Sequence, residues 1–325
     1  MKVLITGGAG FIGSHLTEAL LKRGDEVIIA DNFSTGSRDN IFPVNGRQAE
    51  LFEMDIAAEP EKIRELIKQT DAVFHLAAAV GVELVVNDPV HTIQTNIDGS
   101  AHVVKAASEF NKRLFIASTS EVYGKSDHEL FCESDDLLIG SPYHSRWSYA
   151  CSKLLDEFYL MAYHQAAGLR GTVVRFFNTV GPRQTGKYGM VVPRFVSNAL
   201  QNKPLLIYGD GGQSRCFCHV TDVVQALLLL LDDDRSIGNI YNIGSDRLIT
   251  IAELAELVIS RLNSASKMEY VSYDKAYSKG FEDMRRRKPS TAKLRDLVNW
   301  QPEHTLEQII DDVAQEILRK KQQRA

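Results

Sequence analysis

Short apolar runs alternate with longer stretches of helical periodicity from the first residues onward. Val3-Leu4-Ile5-Thr6, Glu26 to Ala30, Ala72 to Leu76, Arg113 to Ser118 and Gly171 to Phe176 read as strands. Phe11 to Arg23, Glu59 to Gln69, Thr92 to Phe110 and Ser148 to Ala167 read as the helices between them. The strands are apolar throughout rather than alternating, so both of their faces are covered. Such strands, separated by helices, predict a doubly wound parallel α/β sheet. After about residue 177 the pattern loosens. Asn178 to Arg183 is a loop, Val191 to Gln201 a helix, Leu205 to Tyr208 a short strand and Gly209 to Gln213 a glycine-rich turn. The helix Val220 to Leu231 and the strand Asn239 to Ile243 are expected to return to the main sheet. From Thr250 onward helix and loop alternate. The expected division is a main domain of residues 1–177 joined by 220–245, and a smaller C-terminal lobe of 178–219 and 246–325.

Composition narrows the function classes. The 325 residues are 44% hydrophobic and 24% charged, with a formal charge of −5, as in an ordinary globular chain. No basic stretch suits a nucleic-acid surface, and the tail Arg319 to Arg324 reads as a solvated helix end. None of the four cysteines forms a CxxC pair. Cys216, Cys218 and His219 lie on one strand-like run without further ligands at workable spacing, so no metal is expected. Reduced thiols in a cytoplasmic protein are the plainer reading. Met1 to Ile5 runs straight into a glycine turn, leaving no room for a signal peptide, and the longest apolar run, Ala226 to Leu231, is too short to span a bilayer.

Chemistry enters at Gly7, Gly10 and Gly13, a G-x-x-G-x-x-G turn between a strand and a helix. Such glycines allow a tight turn, a close backbone approach to a pyrophosphate, and close helix packing, with the phosphates on helix N-terminal amides. Asp31 ends the second strand 18 residues after Gly13, where a carboxylate bonds an adenosine ribose. It would repel a 2′-phosphate, which favours NAD over NADP. The plainer reading of Asp31 is a strand-end turn residue. Asp55 and Ile56 would flank the adenine, or Asp55 only solvates a loop. Tyr149-Ala150-Cys151-Ser152-Lys153 puts a phenol and an amine one turn apart on a helix. A lysine there would lower the phenol's pKa toward neutrality and let it act as a general base. Ser118-Thr119-Ser120-Glu121 follows the strand from Arg113, at the carboxyl end of the sheet where ligands bind.

Together the glycine turn, Asp31, Thr119, Tyr149 and Lys153 resemble the extended short-chain dehydrogenase/reductases, specifically the NAD-dependent epimerase/dehydratase group with its Rossmann-type fold. The resemblance implies that Phe11, Ile12, Asn32, Leu76, Ala77, Ala78 and Asn96 also contact NAD. It implies substrate contacts at Val80, Ser120, Arg146, Asn178, Val191 and Arg215, the last gripping a diphosphate or a ribose. It further implies a UDP-linked sugar oxidised at C4, and a homodimer built on the helices Thr92 to Phe110 and Ser148 to Ala167. Retention of Thr119, Tyr149 and Lys153 argues against a non-catalytic dinucleotide sensor.

Two branches compete. Thr119-Ser120-Glu121, Arg146-Trp147-Ser148-Tyr149, Gly280-Phe281 and Arg286-Arg287-Lys288-Pro289-Ser290 are similar to UDP-glucuronate decarboxylases. There Glu121 handles a proton near C5 and Arg287 meets the sugar carboxylate, with Arg285 or Arg286 as alternatives. Ala78-Ala79-Val80-Gly81-Val82 instead resembles the loop of UDP-hexose 4-epimerases.

Overall fold

The computed structural model describes residues 1–79, 88–185, 190–272 and 284–322. In chain order the strands are β1 (Lys2–Thr6), β2 (Glu26–Asp31), β3 (Glu50–Glu53), β4 (Ala72–His75), β5 (Arg113–Thr119), β6 (Gly171–Phe176), β7 (Thr179–Val180), β8 (Leu205–Tyr208), β9 (Ser214–Cys216), β10 (Cys218–His219), β11 (Asn239–Ile243), β12 (Leu248–Thr250), β13 (Met268–Val271) and β14 (Arg286–Arg287). The helices are α1 (Phe11–Arg23), α2 (Pro60–Lys68), α3 (Pro89–Glu109), α4 (Trp147–Ala167), α5 (Val191–Ala199), α6 (Val220–Leu231), α7 (Ile251–Arg261), α8 (Ala292–Val298) and α9 (Leu306–Gln322).

Seven parallel strands form the main sheet in the order β11-β6-β5-β4-β1-β2-β3. Because side chains alternate across a strand, each apolar run feeds two cores at once. Val3 and Ile5 join Leu16 and Leu20 of α1 and Leu227 and Leu230 of α6 on one face. Leu4 joins Ile63 and Ile67 of α2 and Val103 and Val104 of α3 on the other. That division explains why these strands show no polar alternation. Strand order reverses between β1 and β4, which opens a crevice at their carboxyl ends.

A separate core of Phe195, Val196, Leu205, Ile207, Leu254, Val258, Ile309 and Val313 organises the C-terminal part. Its small sheets are β12-β9-β14 and β13-β8. The strand Asn239–Ile243 does join the main sheet, beside β6. The parallel pairing of β13 with β8 was not anticipated from the pattern. Helix α3 starts at Pro89, earlier than the apolar periodicity from Thr92 suggests. Asp88 caps it by accepting from the His91 amide at 3.2 Å, and proline occupies the first turn. Among the described residues no helix is long and apolar enough to cross a membrane.

Candidate active site

The turn after β1 is shaped by what cannot fit there. Gly7 has φ +72°, and a Cβ on it would lie 2.8 Å from the Ala77 nitrogen. A Cβ on Gly13 would overlap the Gly7 carbonyl and lie 2.8 Å from Gly8 Cα. Gly10 precedes α1 with no side-chain cap, and the first turn holds no acidic residue. Backbone amides and the positive helix end therefore face the crevice, a cradle suited to a pyrophosphate.

Asp31 lies beside this turn, buried. Its Oδ2 accepts from the Ala9 amide at 2.9 Å and its Oδ1 from the Phe33 amide at 2.8 Å. Burial raises its pKa more than these two amides lower it. Each oxygen keeps capacity for a ribose hydroxyl. Arg38, which stacks over Phe33 at 4.4 Å, is ion-paired with Glu53. Asn32 donates to Asp55 Oδ2 at 3.3 Å, which links two residues expected to contact NAD. The residues present fit NAD: Gly7, Gly10 and Gly13 at the phosphates, Asp31 at the adenosine ribose.

One cleft of about 1650 Å³ runs from this turn to Arg287. It is lined by Gly7, Gly10, Phe11, Ile12, Gly13, Asp31, Asn32, Asp55, Ile56, Leu76, Ala77 and Ala78 on the dinucleotide side. On the other side stand Thr119, Ser120, Glu121, Arg146, Tyr149, Lys153, Asn178, Val191, Arg215 and Arg287. Asn96 is not among the lining residues, contrary to expectation. Its amide is consumed by Ala79, whose N–H donates to Oδ1 at 2.8 Å, and by Ser152 Oγ at 3.2 Å. It steadies the loop after β4 against α4. Val80 and Gly280-Phe281 lie outside the described residues.

Tyr149 and Lys153 share one face of α4, and Thr119 hydrogen-bonds the phenol. The phenol pKa is nevertheless raised, not lowered. Loss of water dominates, the charges of Glu121 and Asp156 add to it, and the Thr119 bond only partly opposes them. Lys153 explains the difference from expectation: its Nζ is 2.9 Å from Asp156 Oδ2, both residues being buried. The ammonium is thus answered by a carboxylate instead of by the phenol. Burial and the Lys153 charge together hold His75 down at about 3. That histidine is a neutral link, bonded to Thr6 Oγ1 at 2.8 Å and Ser100 Oγ at 3.0 Å.

Glu121 sits at the start of the short turn after β5, its N–H donating to Thr119 Oγ1 at 3.2 Å. Arg287 Nη1 lies 3.5 Å and Arg146 Nη2 3.9 Å from Glu121 Oε1. Two guanidiniums thus face one carboxylate at the far end of the cleft. The register settles which of the three consecutive arginines turns inward. Side-chain exposure is 83% for Arg285, paired with Asp210, 48% for Arg286, paired with Glu129, and 13% for Arg287. Arg287 stands level with Arg215 across β14 and β9. Asn178, at φ +36°, donates to the Cys216 carbonyl at 2.9 Å.

Several cleft residues escaped the sequence reading. Arg183, directly after Gly181-Pro182, reaches Glu18 at 2.5 Å and Ser14 at 3.4 Å on α1. His15 of α1 bonds the Pro182 carbonyl at 3.0 Å, and burial with the Arg183 charge holds it down at about 4. The Arg194 guanidinium lies over the Tyr208 ring at 4.4 Å, beside Val191. An arginine after a Gly-Pro turn that follows a strand was the available signal for the first; the stacked pair left none.

A doubly wound sheet, a glycine turn matched to a buried ribose-binding aspartate, and a Tyr–Lys pair at the sheet's carboxyl edge define a dinucleotide-dependent enzyme. The chain belongs to the NAD-dependent epimerase/dehydratase family, whose sequence profile matches residues 3–244. Its cofactor is NAD. It is 42% identical over 315 residues to UDP-N-acetyl-alpha-D-glucosaminuronate decarboxylase of Bacillus cytotoxicus, covering 97% of each chain. It is 33% identical over 309 residues to UDP-glucuronic acid decarboxylase 1 of Arabidopsis thaliana, covering 94% of this chain and 67% of that one. Among solved structures, UDP-glucose 4-epimerase of Thermus thermophilus in complex with NAD superposes with a TM-score of 0.85 at 31% identity, covering 98% and 99%.

Proposed function

We propose that this chain is a decarboxylase of UDP-linked uronic acids. The observation that carries the reading is the pair Arg287 and Arg146 around Glu121, beside Tyr149 and Thr119. They bring two guanidiniums to one end of the cleft, within 3.5 and 3.9 Å of Glu121. A sugar C6 carboxylate entering there meets charge-assisted donors, which a neutral hexose cannot exploit.

In this reading Arg215 holds the diphosphate, with Asn178 and Val191 toward the nucleotide, and Ser120 and Arg146 toward the sugar. Lys153 and Asp31 take the two ribose ends of the dinucleotide. Tyr149, helped by Thr119, takes the proton from the sugar 4-hydroxyl. The chemistry that bound NAD supplies is the removal and later return of the C4 hydride. A ketone at C4 makes the C6 carboxylate a β-keto acid. The C5–C6 bond breaks, carbon dioxide leaves, and its electron pair enters an enolate whose oxygen Tyr149 and Thr119 can bond. Glu121 passes the proton that C5 then needs. Residues 1–177 with 220–245 carry the dinucleotide, and 178–219 with 246–325 carry the nucleotide sugar.

The sequence reading expected UDP-glucuronate. The 42% identity to the Bacillus enzyme supports the 2-acetamido uronate as first substrate and UDP-glucuronate as second. The 4-epimerase reading is favoured by the similarity to UDP-glucose 4-epimerase. Exposed apolar side chains at Val90 and Ile93 of α3 and Leu155 and Phe158 of α4 support a homodimer through these helices. The reading puts the enzyme in the cytoplasm, consistent with free thiols at Cys132, Cys151, Cys216 and Cys218.

The test is proton NMR of purified enzyme with NAD and each of UDP-N-acetylglucosaminuronate, UDP-glucuronate and UDP-glucose. Release of carbon dioxide from a uronate, leaving a UDP-pentose or its 4-keto form, is the expected result. A sugar inverted at C4 with all six carbons retained would overturn it in favour of 4-epimerisation.

A further inference from the structure

Glu121 and Arg287 are 166 residues apart in the chain, and neither segment is long enough to hold its side chain alone. The turn bearing Glu121 ends at Tyr123, two residues on. The strand bearing Arg287 runs into Ser290, three residues on. Both of these meet at Asn242, the fourth residue of β11, which has no exposed surface. Tyr123 Oη donates to Asn242 Oδ1 at 2.8 Å. Asn242 Nδ2 donates to the Ser290 carbonyl at 3.2 Å and to the Phe131 carbonyl at 3.0 Å. Phe131 in turn pairs with the arginine segment, donating to the Lys288 carbonyl at 2.9 Å and accepting from the Ser290 amide at 2.8 Å. Its ring stacks on Tyr123 at 4.6 Å.

The other side of Tyr123 is tied to the sheet. Arg175 of β6 donates to Tyr123 Oη at 2.9 Å and pairs with Glu157 of α4 at 2.7 Å, while Ser118 of β5 donates to the same Glu157. One buried chain of bonds therefore runs from the residue before Thr119 to the residues after Arg287. A buried network of this kind has few alternative arrangements, since each unmade bond strands a polar atom.

We propose that Tyr123 and Asn242 are positioning residues that set the distance between Glu121 and Arg287 and so the recognition of a sugar carboxylate. This rests on the carboxylate-binding role given above to Arg287.

The experiment measures dissociation constants of UDP-glucuronate and UDP-glucose, with NAD present, in a Tyr149→Phe background that does not turn over. The background should prefer the carboxylate sugar. Tyr123→Phe removes both buried hydrogen bonds of that hydroxyl and should cut the preference by about fivefold or more, while leaving UDP-glucose affinity within about twofold. Arg287→Lys should cut it as well, and the pair of changes should cut it no further than Arg287→Lys alone. Equal weakening of both ligands, multiplying effects, or no carboxylate preference in the background would each overturn the proposal. If Tyr123→Phe fails to fold, Asn242→Ser carries the same test. A wild type that releases no carbon dioxide would sink decarboxylation and leave this binding comparison intact.

Discussion

In the proposed mechanism the phenol of Tyr149 becomes a base, yet its surroundings hold its proton. Loss of water, then Glu121 and Asp156, raise its pKa above the ordinary range. The activity limb governed by this group therefore rises with pH as the phenol ionises. Changing Asp156 to Asn removes one opposing charge and releases Lys153 toward the phenol. The limb of kcat/KM against pH should then move to lower pH, by roughly half a unit or more. A limb that stays in place, or moves up, would show that Asp156 does not govern the base. The spacing of Tyr149 and Lys153 was legible in the sequence, and so was the carboxylate at Asp31. The competing partner of Lys153 was less so, although Asp156 lies at the i+3 position that neighbours it on a helix. Spacing shows which groups can meet and not which of two partners wins. The choice among Arg285, Arg286 and Arg287 was illegible for a related reason. Three consecutive arginines differ only through the pairing of β14 with β9, and that pairing joins distant stretches of chain.

Among elements, the long apolar strands and the helices between them could be read because each serves the same two cores from end to end. The short strands of the C-terminal lobe could not. β7, β10 and β14 are two residues each, too short to show a period. The start of α3 was misjudged by three residues because its cap is polar and precedes the apolar stripe. The glycine turn is the element whose sequence and geometry agree most closely, and it gives a direct test. A methyl group at Gly13 meets backbone on two sides, so no side chain can move to admit it. Gly13→Ala should weaken NAD binding at least about tenfold in isothermal titration calorimetry. NAD affinity equal to wild type would mean that the turn does not approach the dinucleotide.

At the scale of the whole molecule, the exposed residues Leu155, at 47%, and Phe158, at 65%, leave α4 with an apolar outer stripe. Placing a charge there by Phe158→Glu should convert a dimer to a monomer in sedimentation velocity, by the cost of burying an unpaired carboxylate. A wild-type chain that already sediments as a monomer would remove the proposed dimer. The position of Arg287 has a consequence for biosynthesis. The glycine turn, Asp31, Thr119, Tyr149 and Lys153 all lie in the first half of the chain, and the last strand of the sheet, β11, is complete at Ile243. A chain still on the ribosome therefore carries the groups proposed for oxidation before it carries the arginine proposed to meet the sugar carboxylate. The strand that bears it pairs with β9, and the residues after it bond Phe131 and Asn242, all of which precede it in the chain. On the proposed reading, the carboxylate contact is thus synthesised later than the groups proposed for oxidation.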